Sequence, residues 1–208
     1  MKTIQFVFFL TFIFYLTSCN TDHKAISLDD LDVKSINQLN NYFLNGEVFT
    51  GKVVSNQQNE GVIVNFYVDN GQLNGPYTKI NQAKQIITQA KYKNGLLDGE
   101  HLDFYENGKL RERKIYDNGF LDGKREFFWP NGMIKEQNEF KMGKLIHNST
   151  FYFTNGKLRK KIYFNERGKK DSLWLEYYSN GKVKDCTFYQ NGIILKSNQY
   201  NKNGVKIN

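Results

Sequence analysis

Residues 94–123 read NGLLDGEHLDFYENGKLRERKIYDNGFLDG, and the fold follows from that stretch. It contains Asn-Gly three times, at Asn94-Gly95, Asn107-Gly108 and Asn118-Gly119. Asn-Gly is the strongest short-range hairpin signal, because both residues tolerate the positive φ that a type I′ turn requires. Working outward, glycines recur at Gly71, Gly95, Gly119, Gly143, Gly168 and Gly192, in steps of 24 with one step of 25. A second column lies between them, at Gly108, Gly132, Gly156, Gly181 and Gly204. A third sits four residues past the first, at Gly75, Gly99 and Gly123, with Gly51 by extrapolation. It lapses at Ile146-His147 and Asp171-Ser172, which stand where Asp-Gly stood.

Turn-to-turn spacing alternates mainly between 13 and 11, so each interval is one strand and a turn. About 10 residues at roughly 3.3 Å each give strands near ~30 Å long. The expected fold is all-β: an elongated antiparallel meander of tandem ~24-residue β-hairpin repeats, with about 14 strands in about seven units, spanning ~65 Å along the stack. The repeat domain is expected over 42–208. One turn departs from the pattern, where Asn81-Gln82-Ala83-Lys84 replaces an Asn-Gly pair. A helical array of this period would need apolar residues spaced at 3.6, and that spacing is absent.

The stretches Phe104-Tyr105-Glu106-Asn107-Gly108-Lys109-Leu110 and Tyr116-Asp117-Asn118-Gly119-Phe120-Leu121-Asp122-Gly123 resemble the MORN-repeat variant. That variant is known from bacterial proteins of the YwqK antitoxin family. Asn45-Gly46-Glu47-Val48-Phe49-Thr50-Gly51-Lys52-Val53-Val54 resembles the first unit of such proteins. The resemblance implies a meandering antiparallel sheet and says little about function.

The N-terminus points to an exported, lipid-anchored protein. Met1-Lys2 precedes an apolar run at residues 4–16, IQFVFFLTFIFYL, too short for a comfortable span and suited to a secretory signal. It ends in Leu16-Thr17-Ser18-Cys19, which resembles a bacterial lipobox. Residues 1–18 are therefore expected to be a lipoprotein signal peptide, with Cys19 as the lipidated residue. Residues 19–41 are expected to be a polar tether, in which Ser27 and Asp30 could cap a short helix over Leu28, Leu31, Ile36 and Leu39. The expected location is the bacterial cell envelope, with the lipid-anchored chain facing the periplasm or the exterior and the outer membrane favoured. A lipidated Cys19 leaves Cys186 without an intramolecular partner.

Two-residue Asn-Gly loops would fix cross-strand partners. On one side they pair Tyr105 with Leu110, Trp129 with Ile134, Phe153 with Leu158 and Tyr178 with Val183. Tyr92 with Leu97, Tyr116 with Leu121, Phe140 with Leu145, and Tyr189 with Ile194 join the same side. This face A is aromatic and aliphatic, and is the better candidate for burial. The opposite face B pairs Phe104 with Arg111, Phe128 with Lys135, Tyr152 with Arg159 and Tyr177 with Lys184. Those eight residues are the candidate ligand-binding stripe, with rings for sugars or acyl chains and cations for phosphate or carboxylate. The simpler account is sheet stabilisation, in which long cationic stems cover rings.

The sequence offers no catalytic constellation: no phosphate loop, no nucleophile with a spaced base, and three scattered histidines, His23, His101 and His147. No enzyme activity, metal or cofactor is expected. The formal net charge of +8 permits anionic partners without naming one. Nucleic acid is not expected for an exported chain. The leading expectation is a protein-interaction scaffold with a protein partner, and immunity against an exported toxin would be compatible. The alternative is binding of glycans, anionic polymer or lipid headgroups along face B.

Overall fold

A computed structural model describes residues 24–57 and 61–207. Cys19 and the signal segment lie outside the described residues. The chain is almost entirely β, as expected. Its strands are β1 (Ile26–Ser27), β2 (Asp32–Ile36), β3 (Leu39–Leu44), β4 (Glu47–Val48), β5 (Gly51–Gln57), β6 (Val62–Asp69), β7 (Gln72–Asn81), β8 (Ile86–Lys93), β9 (Leu96–Phe104), β10 (Leu110–Asp117), β11 (Phe120–Phe128), β12 (Ile134–Lys141), β13 (Lys144–Tyr152), β14 (Leu158–Phe164), β15 (Lys170–Tyr177), β16 (Val183–Gln190) and β17 (Ile193–Gln199). From β5 to β17 every strand pairs antiparallel with the next, and β1 adds to β5 in parallel to make fourteen strands in one sheet. The ~24-residue hairpin meander read from the glycine columns is therefore the observed architecture.

The segment expected to be a tether is folded from β1 onward. A 3-10 turn at Leu28–Asp30 replaces the expected short helix, and Ser27 Oγ accepts from the Asp29 N–H at 3.3 Å. The helix stops at Leu31, whose φ of −108° is extended. Strands β2, β3 and β4 then form a separate three-stranded sheet. This cap supplies Leu31, Tyr42 and Phe49 to the hydrophobic core, against Val53, Val64, Phe66 and Val68. Apolar side chains that only alternate along a polar segment look like a tether in sequence, but here they close the apolar end of the sheet.

The turns are of two kinds, on opposite edges of the sheet except at Gly168, which sits on the two-residue edge but keeps the three-residue pattern, with Asn165 N–H donating to the Lys169 carbonyl at 2.9 Å and Gly168 N–H to the Asn165 carbonyl at 2.8 Å. At Asn70-Gly71, Asn94-Gly95, Asn118-Gly119, Met142-Gly143 and Asn191-Gly192 both residues have positive φ, for example 50° and 79° at Asn94 and Gly95. These are the expected two-residue loops. They set the expected pairs Tyr92 with Leu97, Tyr116 with Leu121, Phe140 with Leu145 and Tyr189 with Ile194. Each turn glycine also donates its N–H one unit back, as in Gly119 to the Leu97 carbonyl and Gly143 to the Leu121 carbonyl, both at 2.8 Å.

The other edge differs from expectation. At Asn107-Gly108 only Gly108 has positive φ, at 77°. Its N–H donates to the Tyr105 carbonyl at 2.9 Å, and the Tyr105 N–H donates to the Lys109 carbonyl at 2.8 Å. That is a three-residue loop, a turn followed by a left-handed glycine. The loops at Asn131-Gly132, Asn155-Gly156 and Asn180-Gly181 repeat it. The degraded turn at Asn81 keeps the same hydrogen bonds, with Lys84 at φ 60° in the glycine's place. An Asn-Gly pair fits both geometries. Pro130 distinguishes them, because proline suits the first central position of a type I turn.

Candidate functional site

The three-residue loops slip the register by one residue and dissolve the expected cation–ring pairs. Phe104 pairs with Leu110, Phe128 with Ile134, Tyr152 with Leu158, and Tyr177 with Val183. The ladder then resumes at Asp103 with Glu112, Phe127 with Glu136, Phe151 with Lys160, and Glu176 with Asp185. One residue is left over in each case, and it is Arg111, Lys135, Arg159 or Lys184. The four cations of the candidate stripe are thus the extra residues of β-bulges, a device that re-aims a side chain. The expected pairs of Tyr105, Trp129, Phe153 and Tyr178 with the following aliphatic residue are lost for the same reason.

Each bulged cation finds a different neighbour. Arg111 lies 3.8 Å from the Asp103 carboxylate, and Lys184 hydrogen-bonds Glu176 at 2.9 Å, which raises the Lys184 pKa. Lys135 sits over the Trp129 ring at 4.7 Å, and Arg159 over Phe151 at 5.7 Å. None is stacked on its expected ring. Phe104 and Arg111 do share an open depression of about 480 Å³, lined also by Tyr105, Glu106, Asn107 and Pro130. A second depression of about 290 Å³ lies on β5–β7 beside Val54, Tyr67 and Pro76, with Ala25, just before β1, on its wall.

Three of the four aromatics that lose their expected aliphatic partners bind backbone in the neighbouring unit. Tyr105 donates its hydroxyl to the Phe128 carbonyl at 2.7 Å, Trp129 its indole N–H to the Tyr152 carbonyl at 3.3 Å, and Tyr178 its hydroxyl to the Tyr200 carbonyl at 2.9 Å. Asn107, Asn131 and Asn180 reach the Pro130, Thr154 and Lys202 carbonyls in the same way. The loop residues therefore join one unit to the next.

Past the apolar end, the buried centre of face A is polar. Asp103 accepts from Thr88 Oγ1 at 2.9 Å and lies 3.4 Å from His101 Nε2 and 3.3 Å from Lys114 Nζ. Lys114 also meets Glu112 at 3.2 Å, and Glu112 accepts from Arg125 Nε at 2.7 Å. Burial alone would raise the Asp103 pKa, but hydrogen bonds from His101 and Thr88 and the charges of His101 and Lys114 outweigh it, holding the carboxyl well below its usual range. This is a paired network, and nothing in it presents a nucleophile or an acid–base couple to an enclosed cavity. Among the described residues no group of three His, Cys, Asp or Glu side chains could hold a metal ion, and no helix is long and apolar enough to cross a membrane.

Residues 97–118, 121–142, 148–166 and 170–191 match the family model of the MORN repeat variant. Each match takes in one three-residue-loop hairpin, from β9–β10 to β15–β16. Strands β5–β8 continue the sheet outside the matched stretches. No curated protein matches the chain.

Proposed function

We propose that this chain is a lipid-anchored cell-envelope protein whose repeat sheet is a non-catalytic protein-interaction scaffold. The observation that carries the reading is the continuity of the sheet. Four MORN-variant repeats lie in one unbroken hydrogen-bonded ladder, and their loops are bonded unit to unit. Stacked repeats of this kind present long surfaces that suit partner proteins. The Leu16-Thr17-Ser18-Cys19 motif supports anchoring through Cys19, and immunity against an exported toxin is the finer role compatible with that location. Cross-linking in intact cells, with photoreactive residues along the sheet, tests the scaffold role. Defined adducts with one protein are expected, and their absence along both faces defeats it. Cys19→Ala tests the anchor: release from membranes or an unprocessed precursor is expected, and normal processing with retained membrane attachment contradicts it.

A second reading, an anionic ligand on the sheet, is favoured by Lys135 and Arg159. Both remain over aromatic rings, and neither has an ion-pair partner among the described residues.

A further inference from the structure

Charge is distributed unevenly along the sheet. In β9–β12 the cations are largely neutralised, with Arg113 near Glu100 and Glu126, Lys114 between Asp103 and Glu112, Arg125 on Glu112, and Lys141 on Asp122. The β14–β15 hairpin is different. Residues 157–171, KLRKKIYFNERGKKD, hold seven Lys and Arg against Glu166 and Asp171, in a chain whose whole net charge is +8.

By alternation Lys160, Ile162 and Phe164 share one side of β14, and Lys170, Trp174 and Tyr189 join them through the ladder. Trp174 is fixed there. Its indole N–H donates to the Tyr163 carbonyl at 2.9 Å, and its ring lies 5.7 Å from Phe164 and 4.8 Å from Tyr189. Two lysines are held over it. Lys170 Nζ is 4.4 Å from the Trp174 centroid and 5.2 Å from Tyr189, and Lys160 Nζ is 5.7 Å from Trp174. Among the described residues neither lysine has an ion-pair partner. Of the acids on neighbouring strand positions, Asp171 accepts from the Asn191 N–H and Glu176 from Lys184.

We infer that this cluster docks an acidic, extended polypeptide segment of a partner protein, an inference that rests on the scaffold reading. The ring faces are occupied by the protein's own cations, which disfavours stacking of a sugar and leaves charge as the recognised feature. The two ammonium nitrogens are separated by no more than the sum of their distances to the Trp174 centroid. Alternate side chains of an extended strand lie roughly 7 Å apart on one side. That spacing falls within this upper limit, so carboxylates at every second residue suit Lys160 and Lys170. Arg159, over Phe151 on the same side, extends the row. The rings restrict the cations before binding, so less side-chain freedom is lost when the partner arrives.

The test uses the full-length chain in non-ionic detergent, with Trp129→Phe leaving Trp174 as the sole indole. The probes are a nonapeptide of alternating Glu and Ser, its Gln counterpart, inorganic polyphosphate, and micelles doped with phosphatidylglycerol. The Glu peptide is expected to change Trp174 emission and to bind at least tenfold more tightly than the Gln peptide, with affinity falling as salt rises. Lys160→Gln with Lys170→Gln should weaken it tenfold or more, and Lys144→Gln should leave it unchanged. Calorimetry on the unaltered chain repeats the comparison without the Trp129 change. Equal binding of the Gln peptide, or no loss in the double variant, overturns the inference. Binding of polyphosphate or anionic micelles through these lysines, with none of the acidic peptide, also overturns it by identifying another ligand class. If cross-linking still finds a protein partner while no acidic peptide binds, the scaffold reading survives and only this site fails.

Discussion

His147 and Ser172 both have φ of 58°, at the column where earlier units place Gly75, Gly99 and Gly123 at 97°, 99° and 121°. The glycine column ends in the sequence, but the backbone conformation it served continues, because the neighbouring ladder holds the register. A side chain in left-handed conformation costs roughly 1–2 kcal/mol, partly recovered through the lower entropy of the unfolded chain. His147→Gly and Ser172→Gly should therefore each stabilise by about 0.5–1 kcal/mol, read from denaturant midpoints at unchanged m. The His147–Glu139 contact is exposed on both sides and subtracts little. No gain in either variant would show that these positions are unstrained. Asp103 allows a second prediction at this scale. Its folded pKa is depressed, so it contributes stability above the ordinary carboxylate pKa of about 4 that is lost as pH falls below it. Asp103→Asn should lower stability at neutral pH by about 1–3 kcal/mol and flatten the acid limb below about pH 4. A variant with the native acid limb would remove Asp103 as its cause.

At the scale of the hairpin, the same dipeptide meets different demands at Asn107-Gly108 and at Asn118-Gly119. Both need glycine for its positive φ, but the space around it differs. A Cβ on Gly108 would meet nothing within 4 Å, whereas one on Gly119 would come within 3.2 Å of Leu96 Cδ2. Gly108→Ala should therefore cost only the conformational penalty, about 1 kcal/mol, and Gly119→Ala should cost more, because Leu96 must shift as well. Equal thermal-unfolding losses would show that the two positions are equally tolerant. The existence, order and pairing direction of the hairpins were legible because Asn-Gly marks a chain reversal under either geometry. Loop length was not legible, since Asn107-Gly108 and Asn118-Gly119 are identical dipeptides. The candidate cation stripe depended on that length: a three-residue loop followed by a bulge returns the distal strands to the expected register while displacing Arg111, Lys135, Arg159 and Lys184 from it. Pro130 was the local signal that could have separated the two loop types.

Across the whole molecule, apolar burial concentrates at the β5–β7 end, with Ala90 and Ile162 buried further along, while polar burial dominates the later strands. Val53, Val64, Phe66 and Val68 form an apolar core with the β2–β4 cap, while the centre of the later strands buries Asp103, Glu112, Glu126, Asn138, Ser149 and Thr187. Each later unit is bonded chiefly to its neighbours, so stability should approximate a sum of unit and interface contributions. Val68 is fully buried, and Val68→Ala should cost about 1–3 kcal/mol through lost burial and residual cavity. That loss should act mainly at the apolar end. Both tryptophans, Trp129 and Trp174, lie in later units, so indole fluorescence reports that part while far-ultraviolet circular dichroism reports the whole sheet. In Val68→Ala the dichroism transition should broaden and move to lower denaturant, with the fluorescence midpoint shifting much less. The argument depends on contacts being local along the stack, since a one-dimensional array transmits a defect only through successive interfaces. If both probes shift together and remain coincident, the sheet unfolds as one cooperative unit and coupling between adjacent hairpins exceeds the stability of any one of them.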